Sequence, residues 1–285
     1  MKTLFTVGHV LMTVIVVGLL LSQGADLLST LVATAVSLIA SGVLAMFAHP
    51  SPLGDGESAT TKAKLYDLCI VTMNLFIFTL LVTGQPQLVY LFALPTSLVL
   101  ALYGRVKVPK KPSSTEAVLL GIVYGVTMFF IAMVGVFVAS SFLDIDMNPL
   151  LASLSLYTFE PVYFLYLVSV PEEMLSRFLY ITAGSAISGL TTTTFWCNFV
   201  FTMLHAPTRL LAGESGLVAM VIIAVVSSTI TYGYTKTGNP LFSITAHTVY
   251  NVLLSLFMAG NIIDVICAIL ALAVLLYTLS RGERK

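Results

Sequence analysis

Residues 117–142, AVLLGIVYGVTMFFIAMVGVFVASSF, contain no Asp, Glu, Lys, Arg or His. About 20 consecutive apolar residues wound into a helix cross the roughly 30 Å hydrocarbon core of a bilayer. In lipid the backbone amides must be satisfied within the protein, and this run lacks the two-residue alternation of a barrel strand. It therefore predicts a membrane-spanning α-helix. Comparable runs lie near 4–22, 27–48, 65–83, 87–103, 150–169, 191–206, 215–234, 240–258 and 262–280, separated by polar, glycine or proline breaks. The expected fold class is all-α, a polytopic helical bundle of about eight to ten transmembrane helices.

Composition agrees. The chain of 285 residues is 58% hydrophobic and only 9% charged, with a mean hydropathy of +1.01. A soluble domain carries roughly 25% charged residues, so lipid is the expected solvent for most of this surface. A net charge of zero argues against a nucleic-acid partner. Cys69, Cys197 and Cys267 lie in apolar segments without paired spacing and read as small core residues. Met1–Ser22 has only Lys2 ahead of its apolar run, and its length fits a spanning helix better than a signal peptide.

The basic groups cluster as Lys62 and Lys64, as Arg105, Lys107, Lys110 and Lys111, and as Arg281, Arg284 and Lys285. A ten-span chain starting inside puts all of them on the cytoplasmic side and the acidic loop of Asp144 and Asp146 outside. Residues 170–185 resist that count. They look helical but are too short to cross, with Pro171 near their start. A half-helix there, reversed by a turn over Gly184–Gly189, would bring Glu172 level with His205.

That short segment also holds Glu172, Glu173 and Arg177. One charged side chain at the bilayer centre costs roughly 2.5–3.5 kcal/mol on insertion scales, so three together are a functional candidate by default. Glu173 and Arg177 are four residues apart with the acid first, the favourable order for pairing on a helix. Glu172 is turned about 100° away and does not share that partner. The bland alternative is a capping box from Ser169 to Glu172, in which the carboxylate only satisfies an N-terminal amide.

Four histidines follow different logics. His9 and His49 have no carboxylate near in sequence and read as helix-packing or interfacial residues. Phe201 and His205 share a helix face at i, i+4, as do His247 and Asn251. Each alone could be interhelical hydrogen-bond glue. Together with the acidic pair they supply what peptide hydrolysis needs: a base for water, a group to orient it, and donors for the oxyanion.

The order Glu172-Glu173-x-x-x-Arg177, Phe201-x-x-x-His205, His247-x-x-x-Asn251 resembles the three motifs of the CPBP family. These are the CAAX-processing (Rce1-type) and bacteriocin-processing intramembrane proteases, also called ABI. The likeness covers about 150–258. It implies an endopeptidase for a hydrophobic or prenylated CAAX-type substrate, its site opening to the cytosol. Carried over by position, Glu172 activates water with His205, and His247 and Asn251 stabilise the oxyanion. Glu173, Arg177 and Phe201 support them. The organisation implied is N-terminal accessory helices over 1–110 and a catalytic membrane core over 111–285. One departure is Phe178, where the family often has glycine after the motif arginine.

A metal is a separate question. Glu172, His205 and His247 resemble a catalytic zinc set of three protein ligands, but no His-Glu-x-x-His lies on one helix and no thiolate ligand is present. The family has been read both as metallo- and as glutamate-dependent, so the cofactor, a divalent ion such as zinc or none, is left open. Glu160, beside Pro161, is expected to hydrogen-bond a backbone carbonyl or another polar group freed around the proline. Thr191–Thr194 are expected to be helix-interface packing. The partners implied are a peptide or prenylated protein and membrane lipid. The location implied is a multi-pass integral membrane protein, of the plasma membrane in a prokaryote or the endoplasmic reticulum in a eukaryote. Two other functions fit the same sequence: a non-catalytic scaffold or immunity protein on this fold, or a transporter using Glu160, Glu172 and Glu173 as a relay.

Overall fold

The computed structural model describes residues 2–47, 113–154, 169–181, 184–185 and 188–259. Every regular element among them is helical, with no strand. In chain order these are α1 (Lys2–Ser22), α2 (Leu27–Met46), α3 (Ser114–Phe142), α4 (Met147–Leu154), α5 (Val170–Glu173), which runs on as a π-helix (Met174–Ile181), α6 (Leu190–Leu204), α7 (Ala206–Arg209), a 3-10 turn (Leu210–Ala212), α8 (Glu214–Thr237) and α9 (Pro240–Ala259). The expected spans near 65–83, 87–103 and 262–280, together with Glu160, His49, Cys69, Cys267 and the basic clusters, lie outside the described residues.

Four of these helices are long and apolar enough to cross a bilayer: Leu27–Met46, Ser114–Phe142, Glu214–Thr237 and Pro240–Phe257. The protein is an integral membrane protein. The ends of its spans are set by polar caps. Asp26 accepts the Ser29 amide at 2.7 Å to start α2. Ser113 and Glu116 close a capping box at the start of α3, where the Glu116 carboxylate accepts the Ser113 amide at 2.9 Å. Large apolar side chains on the outer faces of α1, α2 and α3, such as Val14, Ile39, Val123, Phe130 and Phe137, stay exposed and face where lipid would lie.

The run expected to span at 191–206 behaves differently. It forms the 15-residue helix α6, about 22 Å long and short of the hydrocarbon thickness. Trp196 to Met203 are buried on every side, so α6 is the central post of the bundle rather than a lipid-facing span. Packed against it is the segment Val170–Ile181. The wider π-helical winding of its second half is the kind of irregularity that recurs at functional sites.

Two hydrophobic clusters hold these elements. One joins Val16, Leu20 and Ala33 of the first two helices to Tyr180, Trp196, Phe199, Tyr234 and Phe242. The other joins Met128, Ala132 and Val136 of α3 to Ile222, Val226, Ala246, Tyr250 and Leu254. His9 is buried in the first, hydrogen-bonded to the Tyr180 hydroxyl and packed 4.9 Å from the Trp196 ring. This is the packing role its sequence context predicts.

Two glycine features position α9. Gly238 takes φ +60° and its amide caps α8 by donating to the Tyr234 carbonyl at 2.7 Å. Asn239 and Pro240 then turn the chain straight into α9. On the other side, α3 and α9 make the most extensive helix contact among the described elements. A Cβ on Gly125 would stand 2.6 Å from Val249 Cβ and 2.7 Å from the Ala246 carbonyl oxygen, and one on Gly121 2.7 Å from the Phe242 carbonyl oxygen. The Gly121-x-x-x-Gly125 spacing thus lets two backbones touch, the small-residue packing of membrane helices. Ala246, at the contact, precedes His247.

Candidate active site

The segment from Glu172 to Arg177 turns its polar side chains into the bundle. Arg177 is fully buried. Its Nη1 donates to Glu173 Oε1 at 2.7 Å, the ion pair that the i, i+4 spacing predicts. Nη1 also reaches Ser176 Oγ at 3.2 Å, Nη2 reaches Ser227 Oγ at 2.9 Å and Nε reaches Thr231 Oγ1 at 3.3 Å. The Phe201 ring lies under the guanidinium, 3.7 Å from Cζ to the ring centroid. A buried cation is tolerable only when paired and hydrogen-bonded, and every part of this guanidinium is met.

Glu173 is shared. The Oε1 that accepts from Arg177 also accepts from His247 Nδ1 at 2.8 Å. That bond gives Nδ1 the proton and turns His247 Nε2 toward Glu172, whose Oε2 is 3.9 Å away. One imidazole is thus held between two adjacent glutamates. The capping alternative for Glu172 is not what forms, because Ser169 Oγ and Glu172 Oε2 are both buried with no hydrogen-bond partner among the described residues.

His205 ends α6, and its Nδ1 donates to the Phe201 carbonyl at 2.9 Å. The same logic leaves Nε2 as its acceptor nitrogen. The Phe201 ring centroid is 5.0 Å from His205 and 6.2 Å from His247, so this ring packs against both imidazoles and the guanidinium. Asn251 follows His247 by one turn of α9 and is partly exposed. Phe178, at the departure from the family pattern, is buried in the first hydrophobic cluster. Among the described residues, no three or more His, Cys, Asp and Glu side chains are arranged to hold a metal ion. The Glu172, His205 and His247 set therefore does not fit a zinc site.

Two residues of the site, Asn198 and Arg209, are not singled out by sequence reading. Asn198 is fully buried and sits behind the Arg177 cradle, accepting from Ser227 and Thr231 on its amide oxygen. Its signal is a lone amide inside Trp196-Cys-Asn-Phe-Val200, the pattern of polar glue between membrane helices. Arg209, four residues after His205, is also buried; its Nη2 donates to the Leu154 carbonyl at 3.3 Å. Cys197 is a buried thiol whose Sγ donates to the Ser176 carbonyl at 2.9 Å, as a core residue would.

Fold and site together define a polytopic helical membrane protein with a buried carboxylate–imidazole–guanidinium centre. A family model described as type II CAAX prenyl endopeptidase Rce1-like matches residues 154–253, a stretch holding all three motifs. Over that stretch, about a third of its length, the chain is similar to this family. No curated protein and no solved structure matched it.

Proposed function

We propose that the protein is an intramembrane endopeptidase that hydrolyses a peptide bond of a hydrophobic or prenylated CAAX-type substrate, with Glu172 as the base for water. The observation that carries this reading is His247 placed between Glu173, at 2.8 Å, and Glu172, at 3.9 Å. A gap of 3.9 Å is too long for a direct hydrogen bond and suits a pair that shares a small third group. Water held there has a carboxylate acceptor on one side. The acceptor nitrogen of His205 orients it from the other motif helix.

The chemistry then runs as ordinary acid–base hydrolysis. Water oxygen bonds to the scissile carbonyl carbon while its proton passes to Glu172. His247, oriented by Glu173, stabilises the developing oxyanion together with the Asn251 amide. The carbon–nitrogen bond breaks as Glu172 returns the proton to the leaving amine. Arg177 and Phe201 do not touch substrate. They hold Glu173, and so the His247 ring, in one orientation. An apolar cleft beside α6, lined by Met12, Val16, Phe199, Met203 and Pro207, offers a surface for the hydrophobic part of the substrate.

The test is a cleavage assay with purified protein in liposomes, using prenylated and unprenylated peptides of one sequence. Cleavage by the wild type and none by Glu172→Gln supports the reading. Undiminished cleavage by Glu172→Gln removes Glu172 as the base. Absence of cleavage of either peptide by folded wild type sinks the protease assignment.

A further inference from the structure

Behind Arg177 lies a second polar layer whose wiring is complete. Asn198 Nδ2 donates to Ser41 Oγ and to Ser228 Oγ, both at 3.0 Å. Its Oδ1 accepts from Ser227 Oγ at 2.7 Å and from Thr231 Oγ1 at 3.2 Å. Two donors and two lone pairs are all that an amide has, and all four are used. The consequence lies in the hydroxyls. Ser227 and Thr231 each have one proton, and each gives it to Asn198. What they turn toward Arg177 is lone pairs only, the side a cation needs.

We infer that Asn198 is a positioning residue of the active site, acting through Ser227 and Thr231 on Arg177 and thereby on Glu173 and His247. We also infer that α2 takes part, because Ser41 anchors the amide from outside the stretch that the family model matches. Asn198, Ser41, Ser227, Thr231 and Arg177 are all buried, so water does not take over their bonds. Turning the amide over would aim its donors at two hydroxyls that already face a guanidinium. The network therefore has one satisfied arrangement, and that arrangement fixes where Glu173 sits.

The inference rests on the proteolytic reading for its activity arm only. Asn198→Ala is expected to lower kcat by about 10- to 100-fold with KM little changed, as loss of a partner behind a site residue does. In an Arg177→Gln background the same change should have little further effect. The second arm needs no substrate: the ring 15N and Nδ1–H resonances of labelled His247 should move in Asn198→Ala and in Arg177→Gln. Thr194→Ala is the control, since Thr194 is buried one turn away on the same helix with its hydroxyl unpartnered. It should leave the His247 signals in place. A His247 signature unchanged by Asn198→Ala overturns the inference, as does an equal shift from Thr194→Ala. If the wild type cleaves nothing, the protease reading falls and the resonance arm still decides this one.

Discussion

His247 Nδ1 and Glu173 Oε1 stand 2.8 Å apart, although 74 residues separate them in the chain. The bond joins α9 to the helical segment of the first motif. It makes Glu173 the orienting group for an imidazole rather than only the counter-charge of Arg177. A carboxylate that holds a histidine by Nδ1 fixes the tautomer and aims Nε2 at the reacting groups, which here means at Glu172.

Loss of that orientation is the first expectation. Glu173→Gln keeps the shape of the side chain but sets an amide against both His247 and Arg177. Cleavage should fall by at least about 100-fold, comparable to removing an acid–base group outright. The check is kcat at saturating peptide, beside a circular dichroism spectrum showing that the helices remain. A variant at wild-type kcat would mean that His247 needs no carboxylate.

Arg177 carries a stability expectation as well. Arg177→Met leaves Glu173 buried opposite a neutral side chain, and breaking a buried pair from one side costs about 3–5 kcal/mol. Arg177→Lys keeps the charge but cannot reach Glu173, Ser227 and Thr231 together. Thermal unfolding in detergent should rank wild type above Arg177→Lys and Arg177→Lys above Arg177→Met. Equal midpoints for all three would show that the guanidinium geometry does not matter.

Gly125→Val tests the backbone contact that places α9. The new Cβ would meet Val249 Cβ at 2.6 Å and the Ala246 carbonyl oxygen at 2.7 Å, so the helices must part. Overpacking of this kind costs about 1–3 kcal/mol. Because Ala246 is next to His247, kcat should drop together with the unfolding midpoint. Gly18→Val, on α1 with open space around the added group, should leave both unchanged.

Asp26 gives a pH dependence outside the spans. Bonds from Ser29, its backbone amide foremost, hold the Asp26 carboxyl below its ordinary range. A carboxylate whose value is depressed on folding adds stability above the unfolded value, about 3.9, and that contribution is lost as pH falls through the folded value. Hydrogen exchange at the Ser29 amide should therefore be protected at neutral pH, lose protection in strong acid, and be unprotected at all pH values in Asp26→Ala. A protection profile identical in the two proteins would refute the cap.

Chelation is the last expectation. Since Glu172, His205 and His247 do not close into a metal-binding group, peptide cleavage should withstand a strong zinc chelator after prolonged dialysis. Loss of activity that returns on adding zinc would show that the three donors rearrange around an ion.

Much was legible in the sequence because lipid imposes strict rules. Four of the apolar runs returned as spanning helices close to their expected limits, since a segment of that length without charge has no other way to satisfy its backbone. The Glu173–Arg177 pair and the shared face of Phe201 and His205 were also readable, being i, i+4 relations within one helix. The burial of α6 was not. Hydropathy is the same whether an apolar helix faces lipid or other helices, so length and neighbours decided that it is a central post.

Relations between helices were legible only in the fold. Sequence alone determined the membrane class and the set of polar residues available for chemistry. Tertiary structure decided who meets whom: His247 with Glu173, Gly125 with the α9 backbone, Asn198 with Ser41 and the cradle of Arg177. The physical reason is range. Helical periodicity relates a residue to others a turn or two away, whereas a hydrogen bond between helices depends on packing contacts summed over the whole bundle.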